Sequence, residues 1–312
     1  MSNHHLIHLV AGALHVEISP SVGGSIARFY SVLDRASTAS RVDWLRPASD
    51  AALASRDTLA MASFPLVPFC NRIRNGSASF AGREIRFPPN HPTVDSPHPL
   101  HGIGWQRPWK VVSNEQTQAT LALEVVASEA WPWRFSATQH LALSERRLEV
   151  VLTLTNEDTA DMPAGIGHHP YFPHLPGTRL TSATAAMWEA DAEVMPTTLA
   201  VTEAVDKLRN GVMVAELALD NNFVGWEHEA LVEWPADNAG PARSLSMQAE
   251  EPLDYFVLYC PRGFDHFCAE PVSQCTDAIN LSPRYGRGAV GGASLAPGET
   301  LRARFTLTPR GI

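Results

Sequence analysis

Residues 133–155 read WRFSATQHLALSERRLEVVLTLT. Trp133, Phe135, Ala137, Leu141 and Leu143 fall on alternate positions of the first half. Leu148, Val150, Leu152 and Leu154 do the same in the second, with Glu149, Thr153 and Thr155 between them. Successive side chains of a strand point to opposite faces, so a period of two marks a strand with one face buried. The polar SERR at 144–147 separates the runs and reads as a hairpin turn. The same alternation returns in TLRARFTL (300–307), after a turn-like APGE. Residues 78–88 (ASFAGREIRFP) form a second hairpin candidate with Ala81-Gly82 at its tip. Only 50–62 (DAALASRDTLAMA) looks helical, and no helix start follows any of the motifs below. The 24 prolines and 20 glycines are dispersed rather than gathered in a linker, which gives no domain boundary. The pattern predicts an all-β chain: one large antiparallel β-sandwich domain over 1–312, with few short helices.

The composition narrows the function. Hydrophobic residues make up 45% and charged residues 18%, as in ordinary globular proteins. A net charge of −9 argues against a nucleic-acid partner, which wants a basic face. The N-terminal MSNHHLIHLV has no basic region followed by a long apolar run, and no stretch is long enough to span a membrane. The expectation is a cytoplasmic protein. Cys70, Cys260, Cys268 and Cys275 lie at spacings unlike zinc motifs and read as reduced, buried thiols.

Groups capable of chemistry concentrate in a few distant segments. GIGHHPYF (165–172) sets His168 beside His169, with Pro170 favouring an extended backbone. Adjacent strand residues face opposite ways, so only one of the two histidines should face a given pocket. PFCNRIRNG (68–76) offers Asn71, Arg72 and Arg74. PHPLHGIGWQRPW (97–109) offers His98 and His101 beside glycines and flat tryptophans of the kind sugars stack on. In FDHFCAEPVSQCTDAIN (264–280), Glu270 sits in an apolar run, where a carboxylate is costly unless bonded or used. Burial there would raise its pKa and suit it to general-base work. LDNNF (219–223) adds Asp220. A metal site built from His98, His101, one of the paired histidines and Glu270 competes, but no HxH pair has a matching downstream ligand. GAVGGASLAPG (288–298) lacks the strand-to-helix context of a phosphate loop.

Taken in order, NRIRNG (71–76), LHGIGWQRPW (100–109), GHHPYF (167–172), LDNNFV (219–224) and AEPVSQCTDAIN (269–280) resemble the aldose 1-epimerase (mutarotase) family. EISPSVGGSIARF (17–29) and LAPGETLRARFTL (295–307) resemble its two ends, so the likeness runs along essentially the whole chain. It implies a large β-sandwich acting on a monosaccharide, as a monomer or homodimer, with no cofactor and no metal. His169 would then be the acid, acting as imidazolium, and Glu270 the base. Asn71, Arg72, His101 and Asp220 would bind the sugar. Two positions depart from the family pattern: Val257 where glutamine is usual, and His168 where asparagine is common. Three alternatives stand beside a free-sugar mutarotase. One is a hexose-6-phosphate 1-epimerase that recruits Arg74 and Arg107, another a non-catalytic sugar-binding protein, the third a metal-dependent isomerase.

Overall fold

Strands Phe135–Leu143 and Leu148–Asn156 pair antiparallel, with Leu143 opposite Leu148 and Phe135 opposite Asn156. The computed structural model from which this register is read describes residues 6–33, 41–237 and 240–311. Residues 1–5 of the N-terminal stretch, and the last residue of the expected 1–312 domain, lie outside them. The SERR turn closes on itself: the Ser144 hydroxyl accepts from the amides of Arg146 and Arg147. Leu148, Val150, Leu152 and Leu154 are all buried, each contributing roughly 1.5–3 kcal/mol relative to exposure. The second hairpin also forms, from Ser77–Phe80 and Arg83–Arg86. Ala81 (φ 51°) and Gly82 (φ 75°) both take the left-handed turn conformation that matches strand twist.

Among the described residues the first hairpin lies inside a nine-stranded sheet, flanked by Gln118–Val125 and by the long strand Thr300–Arg310. Facing it is an eight-stranded sheet. From its third strand to one edge it runs Asp220–Val224, Tyr255–Tyr259, His266–Val272, Gly167–His168 and Pro65–Leu66, with Tyr171–Pro173 also on His266–Val272. A four-stranded sheet of Ile7–Ala11, Leu14–Ser19, Ser25–Val32 and Arg41–Asp43 packs beside the first hairpin. The main core lies between the layers. Phe172, Phe223, Phe256, Phe267 and Ala269 enter it from the eight-stranded sheet. The alternate residues Tyr171, Val257, Cys268 and Val272 turn to that sheet's outer face, where Phe64, Cys70 and Trp105 cover them in a second cluster. All four cysteines are buried and free.

The helices differ from expectation. Asp50–Ser55 is capped by the Ser49 hydroxyl and stops where Arg56 turns left-handed (φ 56°). Asp57 then caps a separate 3-10 turn, Thr58–Ala60, so 50–62 is two pieces rather than one helix. Glu203–Asn210 is a helix not anticipated, closed by Gly211 and carrying a Glu203–Lys207 pair at 2.9 Å. Ala278–Tyr285 and Arg287–Val290 also form, the first directly after AEPVSQCTD and despite Pro283. A helix start therefore does follow a motif, and the glycine-rich 288–298 begins inside a short helix. Among the described residues no helix is long and apolar enough to cross a membrane.

Candidate active site

The register of three strands brings the acid–base candidates together. On His266–Val272, Cys268 lies opposite Tyr171 and Val272 opposite Gly167, which sets Glu270 beside His169. Val257 flanks Glu270 on the other side. The backbone amides of His169 and Tyr171 donate to the carbonyls of Phe64 (3.0 Å) and Ala62 (2.9 Å), fixing the extended GHHPYF segment. His169 Nε2 lies 3.3 Å from Glu270 Oε1, both side chains nearly inaccessible. The imidazole lies near-parallel to the rings of Phe64 and Tyr171, each at 4.7 Å, and edge-on to His101 at 5.0 Å.

His168 faces the other way. It is buried against Phe305 of the opposite sheet. Its Nδ1 meets the Ser63 hydroxyl and its Nε2 lies 2.8 Å from Gln139 Oε1. The Gln139 amide donates onward to the Gly24 carbonyl at 2.7 Å. This polar strut spans the core and shares nothing with the cleft.

The sugar-side candidates come from two loops locked to each other. Asn71 (φ 57°) and His101 (φ 58°) are both left-handed, and Gly102 (φ 70°) follows. A Cβ on Gly102 would sit 2.1 Å from the Val67 carbonyl oxygen, so only glycine fits. The His101 amide donates to the Asn71 carbonyl (2.8 Å), and the Asn71 amide donates to His101 Nδ1 (3.2 Å). Nδ1 being an acceptor, the neutral ring carries its proton on Nε2 and presents a donor. Arg72 Nη2 lies 3.6 Å from Asp220 Oδ2, and Arg72 Nη1 donates to Asn71 Oδ1.

All six expected residues line one cleft of about 650 Å³. Arg46, His91, Tyr171, Tyr259 and His266 line it too and were not singled out. Tyr171 stands inside a quoted motif, but Arg46 sits in DWLRPAS, where nothing but an arginine before a proline marks it. Asp95, Glu193 and Val194 form part of the mouth. The two arginines expected of a phosphate site are elsewhere. Arg74 is held by Asp191 (3.3 Å) and Asp277 (3.9 Å), Arg107 is exposed, and neither lines the cleft. Nor do the first residues of helix Ala278–Tyr285. As for the metal reading, Nδ1 of His98 and of His101 each accept a backbone amide, from Asn75 and Asn71, and so are engaged. Among the described residues no group of three or more His, Cys, Asp or Glu is placed to hold an ion.

Burial sets the charges. It pushes the Glu270 carboxyl well above the usual range, helped by Asp220 and opposed by Arg72. It pulls His169 down to about 3, and His101 well below an ordinary histidine. Burial thus favours the uncharged forms of both groups, a neutral His169 beside a protonated Glu270. Glu270 Oε2 and His169 Nδ1 are buried without hydrogen-bond partners. Val257, where a glutamine could have donated to the carboxylate, offers Glu270 nothing.

Comparison with known proteins bears on the family and the fold. The chain is 31% identical over 257 residues to the uncharacterized protein YphB of Escherichia coli K12, covering 78% of this chain and 82% of that one. The crystal structure of a candidate aldose 1-epimerase from Escherichia coli K12 superposes with a TM-score of 0.85 at 26% identity, over 99% of both chains. A galactose mutarotase-like protein of Clostridium acetobutylicum shares the fold, with a TM-score of 0.84 at 20% identity over 100% and 96% of the two chains. The family profile described as aldose 1-epimerase matches residues 5–308, and the chain belongs to that family.

Proposed function

We propose that the protein interconverts the α and β anomers of a free aldose of the galactose or glucose type, with Glu270 as base and His169 as acid. The observation that carries this reading is the 3.3 Å approach of His169 to Glu270 inside a cleft that also holds Asn71, Arg72, His101 and Asp220. Opening a cyclic hemiacetal takes a proton from the C1 hydroxyl and delivers one to the ring oxygen. Both oxygens are bonded to C1, so the acid and the base must be neighbours. One proton suffices for the pair. When the C1 hydroxyl donates to Glu270 and the ring oxygen accepts from His169, the proton resident on the carboxyl is better placed on the imidazole. The C1 aldehyde then turns over and the ring closes with the roles reversed. Each positioned proton transfer gives roughly 10²- to 10⁴-fold, and two together lower the barrier by about 5–11 kcal/mol. No electrons move and no group leaves, so the reaction calls for no cofactor. The Nε2 donor of His101 and the Arg72–Asp220 pair suit sugar hydroxyls, and Asn71 completes that wall.

Polarimetry on freshly dissolved galactose, glucose and other aldoses tests the reading. Accelerated decay of rotation is expected for at least one. Calorimetric binding of a sugar with no acceleration for any would move the protein to the sugar-binding, non-catalytic reading. The hexose-phosphate alternative loses its support with Arg74 and Arg107 outside the cleft.

A further inference from the structure

Within the cleft the charge of Arg72 is matched by Asp220. Arg46 alters that balance. Its Nη2 donates to the carbonyls of Leu59 (2.8 Å) and Met61 (2.9 Å), and its backbone amide donates to the Tyr171 carbonyl (2.8 Å). The guanidinium lies over the Tyr171 ring, 3.9 Å from its centroid. These contacts fix the side chain at the cleft wall yet leave Nε and Nη1 without a partner among the described residues. No carboxylate there lies within ion-pair distance of Arg46, whereas Arg72 and Arg74 are both paired. Asp265, whose carboxylate its charge also reaches, is exposed and already accepts from His266. A part-buried guanidinium held at a cavity wall with donors uncommitted to the protein is suited to receive an anionic group of a ligand.

Its place relative to the chemistry says which part of a ligand would do so. Tyr171 joins Arg46 to His169 by contacts of 3.9 and 4.7 Å, while Arg72 and Asp220 act on the Glu270 side. With the ring oxygen at His169 and the C1 hydroxyl at Glu270, C5 and its C6 substituent lead away from Glu270 toward Tyr171 and Arg46. We propose that Arg46 is a specificity-determining residue that receives a carboxylate carried on C6, making hexuronates preferred substrates of the cleft. The inference rests on the mutarotase reading only for the sugar's orientation. A planar carboxylate matches two adjacent guanidinium donors. A phosphate dianion would call for more than one arginine, and Asp95 and Glu193 at the mouth oppose the second charge.

The test compares glucuronate with glucose and galacturonate with galactose. Mutarotation is followed by polarimetry, and binding by calorimetry on the Glu270→Gln variant, so that a failure of catalysis and a failure of the inference are separate results. Wild type should favour each uronate by roughly tenfold to hundredfold in kcat/KM, less at high salt. Arg46→Met should abolish that preference while retaining activity on the neutral sugar, and Arg46→Lys should restore part of it. Uronate bound more tightly without turnover would sink the mutarotase reading and keep this inference. Uronates handled no better than hexoses by the wild type would overturn it. So would an equal loss for both sugar classes in Arg46→Met, which would make Arg46 only a support for Tyr171.

Discussion

His168→Asn separates the two histidines by stability and pH rather than by activity alone. Asparagine is too short to reach both Ser63 and Gln139, so at least one buried polar atom loses its partner, at about 1–3 kcal/mol each. The native imidazole is buried with its pKa pulled down to about 3, against about 6.5 in the unfolded chain. Because the folded value is the lower, the unfolded state binds the extra proton between those limits. The stability is full above about 6.5 and is lost as pH falls through the window. For one such ring the loss between pH 7.5 and 5.0 is about 2 kcal/mol. His169 and His101, lowered as well, and Glu270, raised, titrate in wild type and variant alike, so the difference between the two proteins isolates His168. Urea unfolding followed by tryptophan fluorescence at the two pH values reads the difference. His168→Asn should be less stable at pH 7.5, with the gap to wild type narrowing by about 2 kcal/mol at pH 5.0. Turnover per folded molecule should stay within about threefold. A gap that does not narrow, or a collapse of turnover with stability intact, would refute the assignment of His168 to the core strut.

Glu270→Gln keeps shape but cannot accept a proton, and should lose about 10²-fold or more in turnover by polarimetry with the fold intact. His169→Asn should lose a similar factor, and dialysis against a chelator should leave wild-type turnover intact. Val257→Gln would place an amide donor beside Glu270 and stabilise its carboxylate, so the pair should lose its last proton, and kcat/KM should fall, at lower pH than in wild type. Glucose should be turned over better than glucose 6-phosphate. A preference for the phosphate that weakens with salt would reveal cations at the mouth that the ion pairs of Arg74 conceal.

Periodicity made the architecture readable because both hairpins are local. Leu148 to Leu154 alternate in sequence as they do in space, and Ala81-Gly82 supplies its own turn. The short helices escaped for a physical reason. Asp50–Ser55 ends on a left-handed Arg56 that composition does not forbid, and Ala278–Tyr285 tolerates a proline. Glu203–Asn210 could have been found, since Val205 and Leu208 share a face and Gly211 closes it. The likeness to a family led to six residues that one cleft unites. Arg46 and the mouth residues stayed hidden because only tertiary contacts, not motifs, give them a role.

Strand His266–Val272 presents Phe267 and Ala269 to the main core and Cys268 and Glu270 to the outer face. The Glu270 carboxylate therefore stands on the same seven residues that knit the layers together. Those amides cannot open to solvent without disrupting the core, so their hydrogen exchange should proceed by global unfolding rather than local fraying. Glu270 is thus held as rigidly as the fold itself. Any breathing that admits a sugar is left to the loops around His91–His98 and Asp191–Met195, whose protection should be far lower.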